Sequence, residues 1–236
     1  MSPPSLPPAF QLVRLDREVR AFERAVRAAP RGIEHGTVYW SDRGDLLDMA
    51  LVLEPDVPAQ AALQEVPILT VAACEALDQL LPPAVPVACA WPADLILNGA
   101  RVGGVRALAA PTADPAGRPP WLVLGLGIQL QPPGDGPGAP PDRTSLVAQG
   151  AGGVTAGALL EAVTSGFLAW SGRALRDGAS GVRTAWNRRC YRRGEPGTLV
   201  LEDERISGTI AGLDPDGRFV IGERRLDLGE AATLLA

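Results

Sequence analysis

Lysine is absent from the chain: every one of its 22 basic side chains is arginine, a bias we read as genome base composition. Histidine occurs once, at His35, with no second histidine or neighbouring cysteine. Neither a metal site built on it nor a serine triad is therefore expected, and there is no G-x-S-x-G elbow. Cysteine is sparse. Cys74, Cys89 and Cys190 form no C-x-x-C pair, and any disulfide leaves one of them over. They are expected as buried thiols in a reducing compartment. No apolar run reaches the roughly 18 residues that a membrane span needs. The start, Met1 to Pro8, is proline-rich and lacks the charged and apolar regions of a signal peptide. The expected location is the cytoplasm, with no membrane partner. Net charge is −5 and pI about 5.0, so the basic surplus needed for general nucleic-acid binding is missing too.

What the chain has in quantity is apolar side chains, 46% of the total, with 27 glycines and 23 prolines. The first predicts a packed core and the second many loops. A length of 236 residues leaves room for a medium domain and a small one.

The most informative stretch runs from Ala90 to Arg106. Leu95, Ile96 and Leu97 are a short apolar run, and Asn98-Gly99 is the strongest short hairpin signal because both residues accept positive φ. Val102 and Val105 then flank Gly103 and Gly104. Two glycines inside a strand mark a bulge or a close approach to the backbone. Trp91-Pro92 sets an extended entry. Asp94 sits beside the glycine strand, where a carboxylate can accept hydrogen bonds from a ligand. A second stretch, Trp121 to Leu130, is a buried strand in which Gly125 and Gly127 admit a ligand or a neighbouring backbone; its motif runs from Val123 to Gln129. No helix opens behind it, so a dinucleotide-binding reading fails.

These stretches resemble the signatures of the biotin/lipoate protein ligase family. That family carries K-W-P-N-D, an apolar strand, a turn and a lysine before a glycine strand, then a strand of the form V-x-G-x-G-I-N. A third match lies in Gly208, Gly212, Leu213, Asp214, Gly217 and Phe219, which resemble the C-terminal domain of bacterial biotin ligases. The resemblance implies an α+β fold: a mixed β-sheet with helices packed on it over residues 1–190, then a small C-terminal β-barrel over 191–236. It implies ligation of a carboxylic acid (biotin, lipoate or octanoate type) to a lysine of a biotinyl or lipoyl carrier domain, through an ATP-made acyl-adenylate. It points to Asp94 and Arg101 as reaction residues. Trp91, Arg43, Gly103, Gly104, Gly125, Gly127 and Gln129 are the expected cofactor contacts.

The chain departs from the family pattern at the reacting end. Ala90 stands for the lysine before Trp-Pro, Ala93 for an asparagine, Arg101 for the carboxylate-binding lysine and Gln129 for an asparagine. Arg101 has a planar fork that suits a carboxylate; its alternative is to pair with Asp94 and close the site. The family's long glycine- and arginine-rich phosphate loop is reduced to Ser41-Asp42-Arg43-Gly44-Asp45. Ordinary ATP-dependent biotinylation is therefore not expected. Three readings stay open: a divergent ligase or acyltransferase, a non-catalytic relative that binds an acid or a carrier domain, and a module that kept only the fold.

The remaining segments complete the outline. Leu12 to Ala29 is predicted as one helix from Val19, Phe22, Ala25 and Val26. Gly36 to Trp40 and Leu46 to Leu53 read as strands, and Leu63 to Leu81 as an apolar helix stopped by Pro82-Pro83. Gly157 to Leu175 is expected to be helical, and Val182 to Arg193 to be a second helix and a connection. Gln131 to Arg143, rich in proline and glycine, is an irregular flap or insertion near the site. Strands are expected at Thr198 to Leu201, Ile206 to Ile210 and after an Asp216-Gly217 turn.

Overall fold

The computed structural model describes residues 4–112, 117–132, 142–201 and 204–231. Most of the segment expected as a flap, 133–141, lies outside them. In chain order the elements are β1 (Gln11–Leu15), α1 (Ala21–Ala28), β2 (Thr37–Ser41), β3 (Leu46–Leu53), α2 (Ala59–Ala62), α3 (Glu65–Leu80), β4 (Val87–Ala90), β5 (Asp94–Leu97), β6 (Ala100–Ala109) and β7 (Leu122–Gln129). Helices α4 (Ala156–Asp177) and α5 (Ser180–Arg189) follow, then β8 (Pro196–Leu201), β9 (Glu204–Leu213), β10 (Phe219–Ile221) and β11 (Arg224–Leu226).

The first seven strands form one sheet in the order β1-β2-β3-β7-β6-β5-β4. β1 runs parallel to β2, and the other neighbours are antiparallel, so the sheet is mixed as expected. The central hairpin forms where its turn chemistry puts it: Asn98 and Gly99 hold φ of 49° and 81° between β5 and β6. Its register slips by one residue between Leu95 and Ile96, a bulge that leaves Val102 unpaired on β6.

Leu12 to Ala29 is a correction. Its first part is strand β1, and only Ala21–Ala28 is α-helical, followed by one 3-10 turn. Leu12 packs toward one face of the sheet, while Val13 and Leu15 pack toward the other. That is a period of two, which the apolar spacing from Leu12 onward disguised as a helix.

The two faces of the sheet are covered differently. One is buried under α3 and α4, which bring Val66, Leu69, Leu77, Leu160, Val163 and Phe167 against Leu47, Leu51, Leu124 and Ile128. Among the described residues, the helix on the other face is the short α1, with Phe22 and Ala25 on Tyr39, Ala50, Val52 and Val123. These residues leave part of that face uncovered.

The C-terminal strands form a second sheet in the order β11-β10-β9-β8. Among the described residues it is an open antiparallel sheet rather than a closed barrel. Asp214 organises the β9–β10 turn: its Oδ1 accepts from the backbone N–H of Asp216 and of Arg218, each at 2.9 Å. Ile206, Phe219, Ile221 and Leu226 are buried in the same cluster as the core under α3 and α4.

Candidate functional site

Cross-strand pairing lines up one residue from each strand on the open face. Leu15 pairs with Ser41, Ser41 with Asp48, Asp48 with Gly127, Gly127 with Gly104, Gly104 with Asp94, and Asp94 with Ala90. The middle of this row is two glycines with an aspartate on each side. Among the described residues, a Cβ on Gly127 would meet nothing closer than the Leu47 carbonyl oxygen at 4.0 Å, so they leave the space above it open. Gly104 is crowded by comparison: a Cβ there would sit 3.0 Å from the Ala93 carbonyl oxygen, 3.2 Å from Asp94 Oδ1 and 3.4 Å from an Arg101 nitrogen.

Arg101 and Asp94 meet at the end of this floor. Arg101 Nε lies 2.8 Å from Asp94 Oδ1, with the two side chains 45% and 35% exposed. Burial raises the Asp94 carboxyl above its ordinary value, against the lowering pull of Arg101 and Arg143. The backbone of Arg101 is fixed from the side: its N–H donates to the Asp142 carbonyl at 2.6 Å, and its carbonyl accepts from Thr144 N–H at 2.9 Å. The described end of the proline- and glycine-rich segment therefore lies against Arg101.

The other predicted residues divide. Gly125 faces the same side as Gly127 but is roofed by Phe22, whose ring would lie 2.6 Å from a Cβ there. The Arg106 guanidinium stands 4.3 Å from the centre of that ring and pairs with Glu23 at 2.9 Å. Gly103 serves the backbone: it pairs with Leu95 and Ile128, and a Cβ on it would overlap the Gly127 carbonyl oxygen. Gln129 spends its side-chain amide on the carbonyls of Asp45 (3.2 Å) and Gln131 (2.7 Å). Trp91 lies elsewhere: it belongs to the core on the helix-covered face and stacks on Phe219 at 5.2 Å.

Arg43 is on the short β2–β3 turn and is already used. Its Nη2 and Nε reach Asp45 at 3.0 and 3.2 Å. This pairing, chiefly its hydrogen bonds, lowers the Asp45 carboxyl from its ordinary value. The turn offers no second guanidinium to a phosphate chain. The residues fit a carboxylate at Arg101 and a small molecule over Gly127; they do not fit the phosphates of a nucleotide at this turn.

Sequence reasoning missed Asp48. It is buried, only 8% exposed, in an otherwise apolar strand. Among the described residues its one hydrogen bond is from the Ala21 N–H at 3.4 Å, at the start of α1. Burial raises its carboxyl above the ordinary value. The available signal was a lone acid at an inward position of Leu46 to Leu53. Among the described residues, no group of His, Cys, Asp and Glu could hold a metal ion. None of their helices is long and apolar enough to cross a membrane.

Comparison with known proteins bears on the whole arrangement. Residues 6–188 match the model of the biotin/lipoate A/B protein ligase family. The chain is 29% identical over 174 residues to a biotin–[acetyl-CoA-carboxylase] ligase of Paracoccus denitrificans, covering 72% of this chain and 71% of that one. Among solved structures, a biotin protein ligase-like protein of unknown function from Silicibacter sp. TM1040 superposes with a TM-score of 0.87 and 33% identity, over 99% of both chains. The biotin protein ligase of Aquifex aeolicus, in its apo form, shares the fold with a TM-score of 0.77 at 20% identity, over 94% of this chain and 97% of that one. The family model spans most of the chain and the fold recurs in these solved structures: the chain belongs to the biotin/lipoate A/B protein ligase family.

Proposed function

We propose that this family member binds a carboxylic acid of the biotin, lipoate or octanoate type over the Gly127–Gly104 floor, with Arg101 holding the carboxylate, and that it does not adenylate the acid efficiently with ATP. The observation that carries this reading is the Arg101–Asp94 pair, half-exposed at the end of an open glycine floor. An incoming carboxylate competes with Asp94 for the guanidinium fork. Adenylation needs positive charge against the phosphates, and Arg43, the arginine of the β2–β3 turn, is bonded to Asp45. The acceptor in this reading is a lysine of a biotinyl or lipoyl carrier domain. Support for that class comes from the Paracoccus relative, whose name specifies acetyl-CoA carboxylase as what it acts on.

The test is calorimetric titration with biotin, lipoate and octanoate, with and without ATP, alongside pyrophosphate release. Binding of at least one acid, unaffected by ATP and lost in Arg101→Ala, supports the reading. Pyrophosphate release with biotin at about 1 s⁻¹ or faster, an ordinary enzyme rate, would defeat it.

A second reading has its own observation. Phe22 already occupies the space above Gly125, and Arg101 already has a carboxylate partner. In that reading the site is closed and the chain is a non-catalytic carrier-binding module; no acid then binds at millimolar concentration.

A further inference from the structure

A cavity of about 320 Å³ lies where α2, the start of α3, the end of α4, the start of α5 and the β9–β10 turn converge. That volume is in the range of small-molecule pockets. Its walls are largely apolar, with Val57, Ile68, Ala174, Leu175, Val182 and Leu213 among them. The wall formed by the turn is tied to α5: Asn187 Nδ2 donates to the Leu213 carbonyl at 2.8 Å, Leu213 N–H donates to Asn187 Oδ1 at 2.7 Å, and Arg183 Nη1 donates to the Pro215 carbonyl at 3.0 Å. Into this lining the first turn of α3 brings Glu65, partly buried. Among the described residues Glu65 has one hydrogen bond, from the Ser171 hydroxyl at 3.3 Å, and no ion pair. Burial raises its carboxyl above the ordinary value, and Ser171 offsets only part of this. Arg183 is committed to the turn, and the chain has no lysine to offer. At the mouth Leu175 is 89% exposed and Val57 42%, and the exposed Asp216 adds a second carboxylate.

We propose that this cavity binds a small organic ammonium ion with an apolar body, a primary alkyl- or arylalkylamine, whose N–H groups meet Glu65 while its hydrocarbon covers Ile68, Ala174, Leu175 and Val182. A carboxylate drawn partly out of water without a cation is costly, and a cation seated on it with hydrogen bonds recovers much of that cost. A neutral molecule of the same shape gains the apolar contact but removes water from Glu65 without returning a charge, and an anion meets two carboxylates. The walls supply the rest of the affinity through buried hydrocarbon. The cavity shares no residue with the glycine row, so it is a separate site from the one that takes the acid.

The experiment titrates the full chain with hexylamine and with 1-hexanol, its neutral isostere, and follows the backbone amides by NMR. At about pH 8 the amine holds its proton, as a lysine does up to about pH 10.4. Hexylamine is expected to bind about tenfold or more tighter than 1-hexanol, with the largest shifts at Ser171, Val182 and Gly217. Glu65→Gln keeps an acceptor for the Ser171 hydroxyl and is expected to bring the amine down to the affinity of the alcohol. Equal affinities in the wild type overturn the proposal, as does the absence of amine binding at millimolar concentration. So do shifts centred elsewhere, for example around Asp48 or Asp94, and a preference for the amine that survives Glu65→Gln. Should circular dichroism show that Glu65→Gln does not fold, the wild-type preference and the position of the shifts decide together.

Discussion

The indole of Trp91 lies on the ring of Phe219, with centroids 5.2 Å apart and planes 13° from parallel. Trp186 meets the same ring edge-on at 6.2 Å. Two tryptophans, from the β4–β5 turn and from α5, thus hold the C-terminal sheet by one buried phenylalanine. Phe219→Ala is expected to destabilise the whole chain by about 3–5 kcal/mol, in a single transition rather than as loss of the last sheet alone. Urea unfolding followed by tryptophan fluorescence and by circular dichroism checks both points; non-coincident transitions would show that the second sheet unfolds separately.

The glycines of the site are predicted to separate by function. Gly103→Ala drives a methyl into the Gly127 carbonyl oxygen, where neither strand can yield cheaply. A loss of about 1–3 kcal/mol or more is expected, as for overpacking. Gly127→Ala meets, among the described residues, only the Leu47 carbonyl oxygen at an ordinary 4.0 Å, so its melting temperature is expected near wild type while acid binding is lost. Thermal melts and calorimetry on the two variants check the contrast.

Asp48 gives a pH prediction with a definite sign. Burial raises its folded value, so the folded chain holds a proton at a pH where the unfolded chain has released it. Its contribution to stability is complete below the unfolded value of about 3.9 and is lost as pH rises through the raised folded value. Asp48→Asn removes this loss and keeps an acceptor for Ala21 N–H. The melting temperature of the variant relative to wild type is therefore expected to rise between about pH 4 and pH 7. A difference that stays flat across that window would show that Asp48 ionises normally.

Pyrophosphate release with biotin is expected at least about a hundredfold below an ordinary enzyme's rate, the cost of losing one electrostatic contact in the transition state. Asp45→Ala, which frees Arg43, is not expected to restore it, because one guanidinium does not replace a phosphate-holding loop. Arg101→Lys is the variant expected to gain turnover, if any does.

The three thiols are expected to be silent in the folded chain. All are buried and free, and burial pushes the Cys190 thiol up to about 11 and the Cys89 thiol well above its usual range. The thiolate is the reactive form. A chromogenic disulfide reagent at pH 8 should label none of them until denaturant is added, and then all three. Rapid labelling of Cys190 in the native state would contradict this.

Local chemistry decided which parts of this structure could be read from sequence. The Asn98-Gly99 turn, the apolar α3 and the Asp216-Gly217 turn each carry their signal within a few residues, and each formed where expected. β1 did not, because its partner β2 lies beyond α1 and its alternating faces mimic a helical spacing over a short window. Trp91 was taken for a cofactor contact; its stacking partner Phe219 is far along the chain, and nothing near Trp91 announces it. Arg101 was legible as a residue with two outcomes, and the structure shows it paired with Asp94. The glycine pair split between roles, Gly103 serving the neighbouring strand and Gly104 lying beneath the Arg101–Asp94 pair. A register one residue either way exchanges them, and the bulge that sets the register depends on long-range pairing.

One seam has a consequence for handling the protein. β4 is the outermost strand of the large sheet, yet its backbone is not bare: the backbone of Cys190 forms an isolated parallel β-bridge with that of Cys89, and Tyr191 N–H donates to the Cys89 carbonyl at 2.8 Å. An uncovered β-edge is a template on which other chains can add strands. The few residues after α5 therefore act as selvage as well as connection. Tyr191→Pro, which removes the N–H given to Cys89, would keep the second sheet and loosen that hem, and its failure would show first as turbidity and fibrous precipitate.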